Sequence, residues 1–512
     1  MDSTTVPLHW FPQLASLLTP YSALAVVVVL VTILPMVMDR ATPEISIPKV
    51  TSSNSWFASR QDFAAHGVEI IEKGFKQVKS GVFRVTALDG SDLVLIAPEH
   101  WLAICKKKDE EVAPARKEFF LCDLHGAPFE EPFLYRYLAS RMPGFDRYLD
   151  VISTALDEGI SSSSKASKRV IMQPQILHIY SHVIWRVILG DRFKSEVVDI
   201  FKKYSATLIP VMKTLKAQRP MMARISAAFS KDVRQVNLQL EQAAAFFTPL
   251  LEQCVHALEE GLPKSPIDND WLEELTRMAP AEKRRDYKYL TNILIGFAFT
   301  FVFSPGPSTT QVVYEFAFRP DYVDLVLKEA YDILGERPAH WGFSRDNLHG
   351  LSLLDSFCKE THKHHPTAAS NLMKKIHKTQ TLPNGVVLPA GTIFEVVMAA
   401  AHLSNPKLEN PSKWNGRRYH DLRQQMTTTI GANKYDWGSA TKDDVNFGYA
   451  SHMCPGRWAG CSIAKMFLIK LLANYQISPE EGETERYQDL HSGQYILPNP
   501  TKHIIVERRP RQ

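Results

Sequence analysis

The sequence predicts a mainly α-helical domain with small β-sheets, an α+β fold, that follows an N-terminal transmembrane helix. Residues 174–262 show apolar side chains at helical spacing in one stretch after another. The turn residues Asp89-Gly90 separate two short apolar runs, 82–88 and 93–96, which is the sequence pattern of a β-hairpin. Residues 21–38 are uncharged and long enough to cross a bilayer as a helix.

The N-terminal segments predict a membrane anchor at residues 21–38, between a lumenal segment at 1–20 and a proline-containing linker at 39–51. Basic residues follow the apolar run, so the positive-inside rule places the rest of the chain on the cytosolic side. A cleaved secretory signal is the alternative interpretation. No Lys or Arg precedes the run and no clear cleavage site follows it, which favours the anchor.

Composition excludes several classes of protein. The 512 residues carry a net charge of only +4, evenly spread, which does not indicate a nucleic-acid-binding protein. The six cysteines include no Cys-x-x-Cys pair, so the sequence indicates neither a zinc ribbon nor a disulfide framework. A reducing compartment suits these cysteines better.

The most informative stretch is residues 447–457, a loop rich in aromatic residues and glycine that ends just before an amphipathic helix at 458–475. Cys454 therefore lies where the free N–H groups and the positive end of the helix favour a thiolate. Gly456 would let the backbone approach a flat group, and His452 supplies a polar or cationic side chain. A buried cysteine at a helix start is the alternative interpretation.

This loop resembles the haem-binding loop of the cytochromes P-450, Phe-x-x-Gly-x-(His/Arg/Lys)-x-Cys-x-Gly. Phe447, His452, Cys454 and Gly456 match, whereas Ala450 replaces the family's glycine. The resemblance, closest in its Cys-Pro-Gly-Arg ending to fungal members, implies that Cys454 is the axial thiolate ligand of haem b. It also implies that His452 lies near a haem propionate. A thiolate ligand pushes electron density onto the iron and favours O–O cleavage.

The apolar helix predicted at residues 287–303 is interrupted by Ser304-Pro305-Gly306-Pro307. Proline lacks an N–H and breaks or kinks a helix. The resemblance implies that this helix crosses the distal haem face, with Ser304 at the position of the family's Thr and Phe303 at that of its acid. Ser304 would then relay protons during oxygen activation; a hydrogen bond from Ser304 to a backbone carbonyl at the kink is the alternative. The predicted apolar wall beside the haem consists of Phe297, Phe299, Phe301 and Phe303.

Two further segments are similar to family motifs. Glu360-Thr361-His362-Lys363 is similar to the family's Glu-x-x-Arg, and Trp414–Tyr419 resembles the fungal segment that supplies an arginine, here Arg418. The resemblance implies that Glu360, Lys363 and Arg418 form a buried salt-bridged cluster that supports the haem loop. Because an ammonium cannot make the bidentate bridge of a guanidinium, we expect a looser cluster. Taken alone, Glu360 and Lys363 would be an ordinary surface pair.

Other features complete the prediction. The helices of 174–262 should break near Pro210 and Pro220, and a hairpin should form at 382–391. Residues 494–500 should pair with 503–506 as a closing hairpin.

Lys374 and Lys375 would reach a haem propionate or face solvent. His362, His364 and His365 suggest a metal site, but no acid or cysteine completes a tetrahedral set.

The resemblance implies that residues 52–512 form a cytochrome P-450 haem domain with monooxygenase activity. Electrons from NADPH would arrive through NADPH-cytochrome P-450 reductase, and O₂ would be used to hydroxylate a lipophilic small molecule, such as a fungal terpenoid or polyketide. The protein would be a single-pass protein of the endoplasmic reticulum membrane. Two alternatives remain: a P-450-fold enzyme that rearranges, dehydrates or couples its substrate, and a catalytically silent haem-binding scaffold.

Overall fold

The computed structural model describes residues 47–51, 56–163, 169–263, 270–336 and 341–510. The predicted lumenal segment 1–20 and the predicted anchor 21–38 lie outside the described residues, as does most of the predicted linker. Of the linker, residues 47–51 are described.

Helices make up most of the described chain, which confirms the predicted mainly helical class. In chain order they are α1 (Trp56–Gln77), α2 (Pro98–Ile104), α3 (Arg116–Phe120), α4 (Cys122–His125), α5 (Pro132–Arg141), α6 (Leu149–Ser163), α7 (Met172–Leu189), α8 (Glu196–Lys216), α9 (Pro220–Phe229), α10 (Lys231–Glu259), α11 (Asp270–Met278), α12 (Tyr287–Phe303), α13 (Pro305–Ala317), α14 (Pro320–Leu334), α15 (Arg345–Gly350), α16 (Ser352–His364), α17 (Ala399–Leu403), α18 (Arg418–Gln424), α19 (Thr429–Asn433) and α20 (Arg457–Asn474).

The strands are short. They are β1 (Val82–Thr86), β2 (Asp92–Ile96), β3 (Val112–Pro114), β4 (Arg169–Val170), β5 (Ser370–Ile376), β6 (Gln380–Thr381), β7 (Val387–Leu388), β8 (Ile393–Val397), β9 (Tyr475–Pro479), β10 (Leu490–Ser492), β11 (Tyr495–Leu497) and β12 (Ile504–Arg508).

The strands form one five-stranded sheet in the order β1-β2-β8-β5-β3, a three-stranded sheet β4-β12-β9 and the two-stranded pairs β6-β7 and β10-β11. The predicted hairpin around Asp89-Gly90 is confirmed as the antiparallel pair β1-β2, with Val82 opposite Ile96. The end of the predicted linker lies against this sheet, since Val50 N–H donates to the Arg84 carbonyl at 2.9 Å.

Two sequence predictions about breaks and pairings are wrong. Helix α8 continues through Pro210, because Pro210 lies on the exposed face and the apolar face of α8 stays buried in the core. The predicted break at Pro220 is confirmed, since α9 begins there. Strand β12 pairs with β9 and β4 rather than with residues 494–500, whose strand β11 pairs with β10. Pro498 and Pro500 cannot donate to a strand ladder, which separates the two strands.

Helices α12 and α13 run through the centre of the main core. Leu290, Leu294 and Phe297 are fully buried there. Among the described residues, one helical stretch, Tyr287–Ala317, is long and apolar enough to cross a membrane by length and composition alone. Its apolar window is 61% buried inside the protein, which is the environment of a core helix.

The fold brings the two predicted halves of the site together. Helix α20 begins just after Cys454 and packs against α13, which begins just after Ser304. A Cβ atom added to Gly460 would lie 3.9 Å from the Cβ of Pro305. The start of α20 and the start of α13 are therefore direct neighbours.

Candidate active site

The cysteine loop closes on itself through its backbone. The N–H of Cys454 donates to the carbonyl of Phe447 at 2.7 Å. Gly448 has a φ of +80°, and a Cβ there would lie 2.2 Å from the carbonyl oxygen of His452, so only glycine fits. Ala450, which replaces the family's glycine, also has a left-handed φ of +53°. At position 450 the backbone thus adopts a left-handed conformation that favours glycine, although the residue is alanine.

Cys454 lies at the N-terminus of α20, as predicted from the sequence. Its side chain is exposed, although protein surrounds much of it and burial raises the pKa of the thiol. The backbone N–H groups of Gly456 and Arg457 and the charge of Arg457 act in the opposite direction. These donors stabilise negative charge on the sulfur, and a metal ion bound to a thiol removes its proton outright.

His452 belongs to a cluster of polar side chains in which, among the described residues, no carboxylate forms an ion pair with Lys374 or His452. Lys374 is only 5% exposed, and its Nζ donates to Nδ1 of His452 at 3.1 Å. Burial lowers the pKa of Lys374 to about 8 and also lowers the pKa of His452. Within the described chain, no carboxylate forms an ion pair with Lys374, and the indole Nε1 of Trp101 is buried without a hydrogen-bond partner. The ring of Trp101 lies 5.2 Å from that of His452.

The other lysine considered for this role, Lys375, has a partner of its own. Its Nζ lies 2.7 Å from Oε1 of Glu118. Of the two, Lys374 is therefore the better candidate for binding an anionic group beside His452.

On the other side of the site, Ser304 separates α12 from α13. Its N–H donates to the carbonyl of Thr300 at 3.3 Å. Its side chain is exposed, and across the described residues its hydroxyl makes no hydrogen bond. By contrast, Thr309 and Thr310 each donate to the carbonyl four residues earlier, at 2.9 Å. The Ser304 hydroxyl is thus free to contact a bound molecule.

A continuous row of phenylalanine rings runs away from this break, and we call it the aromatic wall. The Phe303 ring lies 4.5 Å from Phe299, which lies 5.1 Å from Phe129. The row continues to Phe120 at 4.8 Å and to Phe119 at 4.7 Å. All except Phe129 are partly exposed. The wall therefore offers a partly exposed apolar surface that ends at Phe303, the neighbour of Ser304 in the chain.

The sequence prediction of this wall is half wrong. Phe297 and Phe301 lie on the opposite face of α12, where they stack at 5.8 Å inside the core. Residues two positions apart point to nearly opposite sides of a helix, so Phe299 and Phe303 face one way and Phe297 and Phe301 the other. Phe119, Phe120 and Phe129 were missed because nothing in their spacing connects them to α12.

The structure brings Glu360, Lys363 and Arg418 together, fully or almost fully buried. Lys363 Nζ lies 3.0 Å from Oε1 of Glu360 and donates to the Pro411 carbonyl at 2.7 Å. Arg418 shares its Nε–H between the two carboxylate oxygens, at 3.2 and 3.1 Å. Neither cation makes a two-armed bridge to Glu360. The remaining donors of Arg418 bind the carbonyls of Glu409, Asn410 and Lys413.

The charges in this cluster depend on one another. Burial acts to raise the pKa of Glu360, but the nearby His364 ring and the charges of Lys363 and Arg418 lower it overall. Burial lowers the pKa of Lys363 to about 8. A carboxylate with several donors and no exposure stays ionised because of its partners, and losing it would strand two buried cations.

Helix α16 also contacts the cysteine loop, through residues that the sequence analysis missed. Lys359 Nζ lies 2.6 Å from Oδ2 of Asp444, shortly before Phe447. The ring of His362 lies 5.4 Å from the ring of Phe447 and accepts a hydrogen bond from Trp437 at 3.2 Å. These contacts fix the start of the loop relative to α16.

The three histidines considered for a metal site do not converge. His362 faces Trp437, and burial lowers its pKa to about 4. His364 lies 3.3 Å from Glu360, whereas His365 lies 2.7 Å from Asp489. In the part of the chain that the structure describes, no group of three His, Cys, Asp or Glu residues could hold a metal ion.

A cysteine at a helix start, a buried lysine beside it without an ion-paired carboxylate, and an interrupted helix with an aromatic wall opposite suit a flat, anionic cofactor. Comparison with known proteins decides the family. The sequence model of the family described as Cytochrome P450 matches residues 134–506. The chain belongs to the cytochrome P450 family.

Its relatives are fungal enzymes named as monooxygenases. Cytochrome P450 monooxygenase ATR3 of Stachybotrys chlorohalonatus is 24% identical over 345 residues, 66% of this chain and 72% of the relative. Cytochrome P450 monooxygenase 103 of Postia placenta is 23% identical and covers 95% of this chain and 98% of its own. Cytochrome P450 monooxygenase olcJ of Penicillium canescens is 24% identical and covers 99% and 98%. This P450 is therefore an enzyme of a monooxygenase family.

The family holds haem through a cysteine thiolate, and the residues present fit that group. Cys454 is exposed at a helix N-terminus. Lys374, which also donates to His452, and the unpaired indole N–H of Trp101 are donors of the kind that carboxylates need. The space beside Gly456 is open, since a Cβ atom added there would have Met142 Sδ, at 3.8 Å, as its nearest neighbour. This open space suits a flat apolar macrocycle.

Proposed function

We propose that this P450 is a haem-thiolate monooxygenase that hydroxylates or otherwise oxidises a lipophilic small molecule. The observation that carries the proposal is the exposed Cys454, with backbone donors directed at its sulfur. Haem with a thiolate ligand supplies oxygen activation when it is bound. The surrounding protein determines which other molecules reach the haem.

Each site residue has a proposed role. Cys454 binds the iron, and His452 with Lys374 binds the propionates. Phe447 and Gly456 shape the loop against the macrocycle, because the carbonyl of Phe447 holds the N–H of Cys454. Ser304 holds and moves a proton at its Oγ, which is free of other hydrogen bonds in the described chain.

The buried charged side chains of α16 and α18 support the cysteine loop in this proposal. Glu360, Lys363 and Arg418 fix α16 to the segment 409–415, and Asn415 N–H donates to Glu360 at 2.9 Å. Lys359 then ties α16 to Asp444 just before the loop.

We also infer the wider setting from the family. Electrons come from NADPH through NADPH-cytochrome P-450 reductase. Residues 21–38, which lie outside the described residues, anchor the protein in the endoplasmic reticulum membrane as a single pass with the catalytic domain in the cytosol. The aromatic wall supports a lipophilic substrate, and the fungal relatives support a metabolite such as a terpenoid or polyketide.

One observation favours a second function. Ser304 precedes Pro305, and Phe303 stands where the family has an acid, so the usual polar pair of the distal helix is incomplete. A P450-fold enzyme that rearranges, dehydrates or couples its substrate would not need that pair. The catalytically silent haem-binding scaffold is the third candidate, and it predicts no turnover.

The experiment compares Cys454→Ala with the control Cys254→Ala, which changes a buried cysteine of α10. We expect Cys454→Ala to lose both the long-wavelength Soret band of the reduced CO complex and all activity, while Cys254→Ala keeps both. Retained activity in Cys454→Ala would refute the assignment.

Oxygen uptake separates the candidate functions in the wild-type protein. Substrate-dependent oxygen uptake with NADPH and reductase supports the monooxygenase. Conversion without oxygen uptake supports the second function, and haem binding without conversion supports the scaffold.

A further inference from the structure

Lys216, the last residue of α8, lies at the far end of the aromatic wall. Its Nζ is 3.7 Å from the centre of the Phe119 ring and 5.6 Å from that of the Tyr495 ring. It also donates to the hydroxyl of Tyr495 at 3.0 Å. A cation between two aromatic rings gains from both, yet it still has N–H donors to offer. Two segments distant from α8 in the sequence thus hold this ammonium group in place.

This ammonium has no anionic partner. Over the described ranges of the chain, no carboxylate lies within ion-pair distance of Lys216. The carboxyl group that Lys216 influences is Glu395, which is 1% exposed and bound by Ser370 at 2.6 Å and Gln494 at 3.4 Å. Burial raises the pKa of Glu395 to about 7, against the effect of Lys216. Glu395 is therefore only partly ionised near neutral pH and does not balance the lysine.

A second cation adds to the local positive charge. Arg60 donates to the carbonyl of Ala217, the residue after Lys216, and to the carbonyl of Leu88 at 2.6 Å. Both of its recorded partners are neutral. Two positive side chains, Lys216 of α8 and Arg60 of α1, therefore lie at the end of α8 near one partly ionised acid.

The aromatic wall connects this positive end to the distal break. From Phe119, at Lys216, the rings follow one another to Phe303, the neighbour of Ser304 in the chain. A lipophilic molecule lying along these rings would have one end near Ser304 and the other near Lys216. The wall alone would accept any apolar molecule, whereas the lysine selects for charge.

A half-buried ammonium without an anion gains most from a ligand that brings one. A carboxylate can accept charge-assisted hydrogen bonds from Lys216, and such bonds are roughly twice as strong as neutral ones. An ester of the same shape offers only a weak acceptor. The difference in affinity between an acid and its ester therefore reports on this site.

We propose that the substrate is a lipophilic carboxylic acid whose carboxylate is bound by Lys216 beside Tyr495, at the opposite end of the aromatic wall from Ser304. The inference rests on the proposed function, because it places the site of oxidation at the Ser304 end. It assigns Lys216 as the residue that determines substrate charge.

The test uses probes that bind whatever the natural substrate is. We would titrate the haem-loaded protein with a series of ω-imidazolyl alkanoic acids of increasing chain length and with their methyl esters. The imidazole binds the haem iron and shifts the Soret band, while the chain carries the carboxylate along the wall. At the chain length that reaches Lys216, we expect the acid to bind about tenfold more tightly than its ester.

The variant Lys216→Met keeps the length of the side chain and removes its charge. We expect it to abolish the preference for the acid while leaving the affinity for the ester within a small factor. Lys213→Met, one turn earlier on α8 and exposed, is the matched control and should keep the preference.

Two results would overturn the inference: no acid preference at any chain length, or a preference that survives Lys216→Met. The CO spectrum and the binding of plain imidazole are measured on the same samples. Their loss would refute the proposed haem-thiolate function, whereas their presence without an acid preference refutes only the role of Lys216.

Discussion

The two sides of this active site are built in different ways. On the thiolate side, Cys454 and its loop lie within residues 447–457, closed by a backbone hydrogen bond and fixed by buried ion pairs. On the distal side, Ser304 is exposed at a helix break, and the aromatic wall is assembled from residues 119 to 303. A backbone hydrogen bond and several buried ion pairs constrain the thiolate side. The distal side is held by apolar contacts, which adapt more easily. We therefore propose that chemistry common to the family resides on the first side, and substrate choice on the second.

The distal helix, α12 with α13, is fixed by ion pairs at one point and interrupted at another. At its C-terminal end, buried Glu315 binds Arg319 at 2.7 Å, His365 at 3.2 Å and also Arg486. Burial acts to raise the pKa of Glu315, but these partners lower it to about 2. Helix α13 is thus firmly fixed at its end and irregular only at its start, next to Ser304.

The largest expected effect tests the thiolate side. Glu360→Ala strands Lys363 and Arg418 without their carboxylate, and breaking a buried pair in this way costs about 3–5 kcal/mol. We expect a large fall in the thermal midpoint at which the haem-thiolate absorbance is lost. Glu72→Ala is the control, because Glu72 and Lys76 form an exposed pair on α1, where such pairs contribute under about 1 kcal/mol. Equal effects of the two changes would show that the buried cluster does not support the loop.

An intermediate effect tests the distal side. Ser304→Ala removes the free hydroxyl but no structural hydrogen bond, so we expect product per NADPH consumed to fall on the order of tenfold with little change in stability. Thr310→Ala is the contrast, because its hydroxyl binds the Gly306 carbonyl within α13. It should affect stability rather than coupling. An unchanged coupling ratio in Ser304→Ala would remove Ser304 from the mechanism.

The smallest effect tests how tightly the thiolate loop is constrained. Ala450 has a left-handed φ of +53°, so Ala450→Gly relieves strain and should stabilise the protein by about 0.5 kcal/mol. Ala245→Gly, at an exposed position in the interior of α10, should instead destabilise by about 0.5–1 kcal/mol. Thermal denaturation of both variants measures the difference, and a loss of stability in Ala450→Gly would contradict the strain.

The features that could be predicted from the sequence are those set by neighbouring residues. The hairpin at Asp89-Gly90 and the interruption at Ser304 follow from turn and proline stereochemistry. Cys454 was placed at a helix start by the amphipathic pattern that follows it. The cluster of Glu360, Lys363 and Arg418 was implied by the family resemblance rather than by neighbouring residues. Neither predicted that most donors of Arg418 would bind the carbonyls of residues 409–413.

The sequence by itself therefore determined the cysteine loop and the helix break, because each depends on the stereochemistry of a few adjacent residues. Only the tertiary structure decided that Pro210 stays inside α8, that Phe297 and Phe301 face the core, and that Lys216 meets Tyr495, 279 residues away. The physical reason is that these outcomes depend on how apolar faces pack across the whole domain. Local spacing carries no information about which distant side chains that packing brings together.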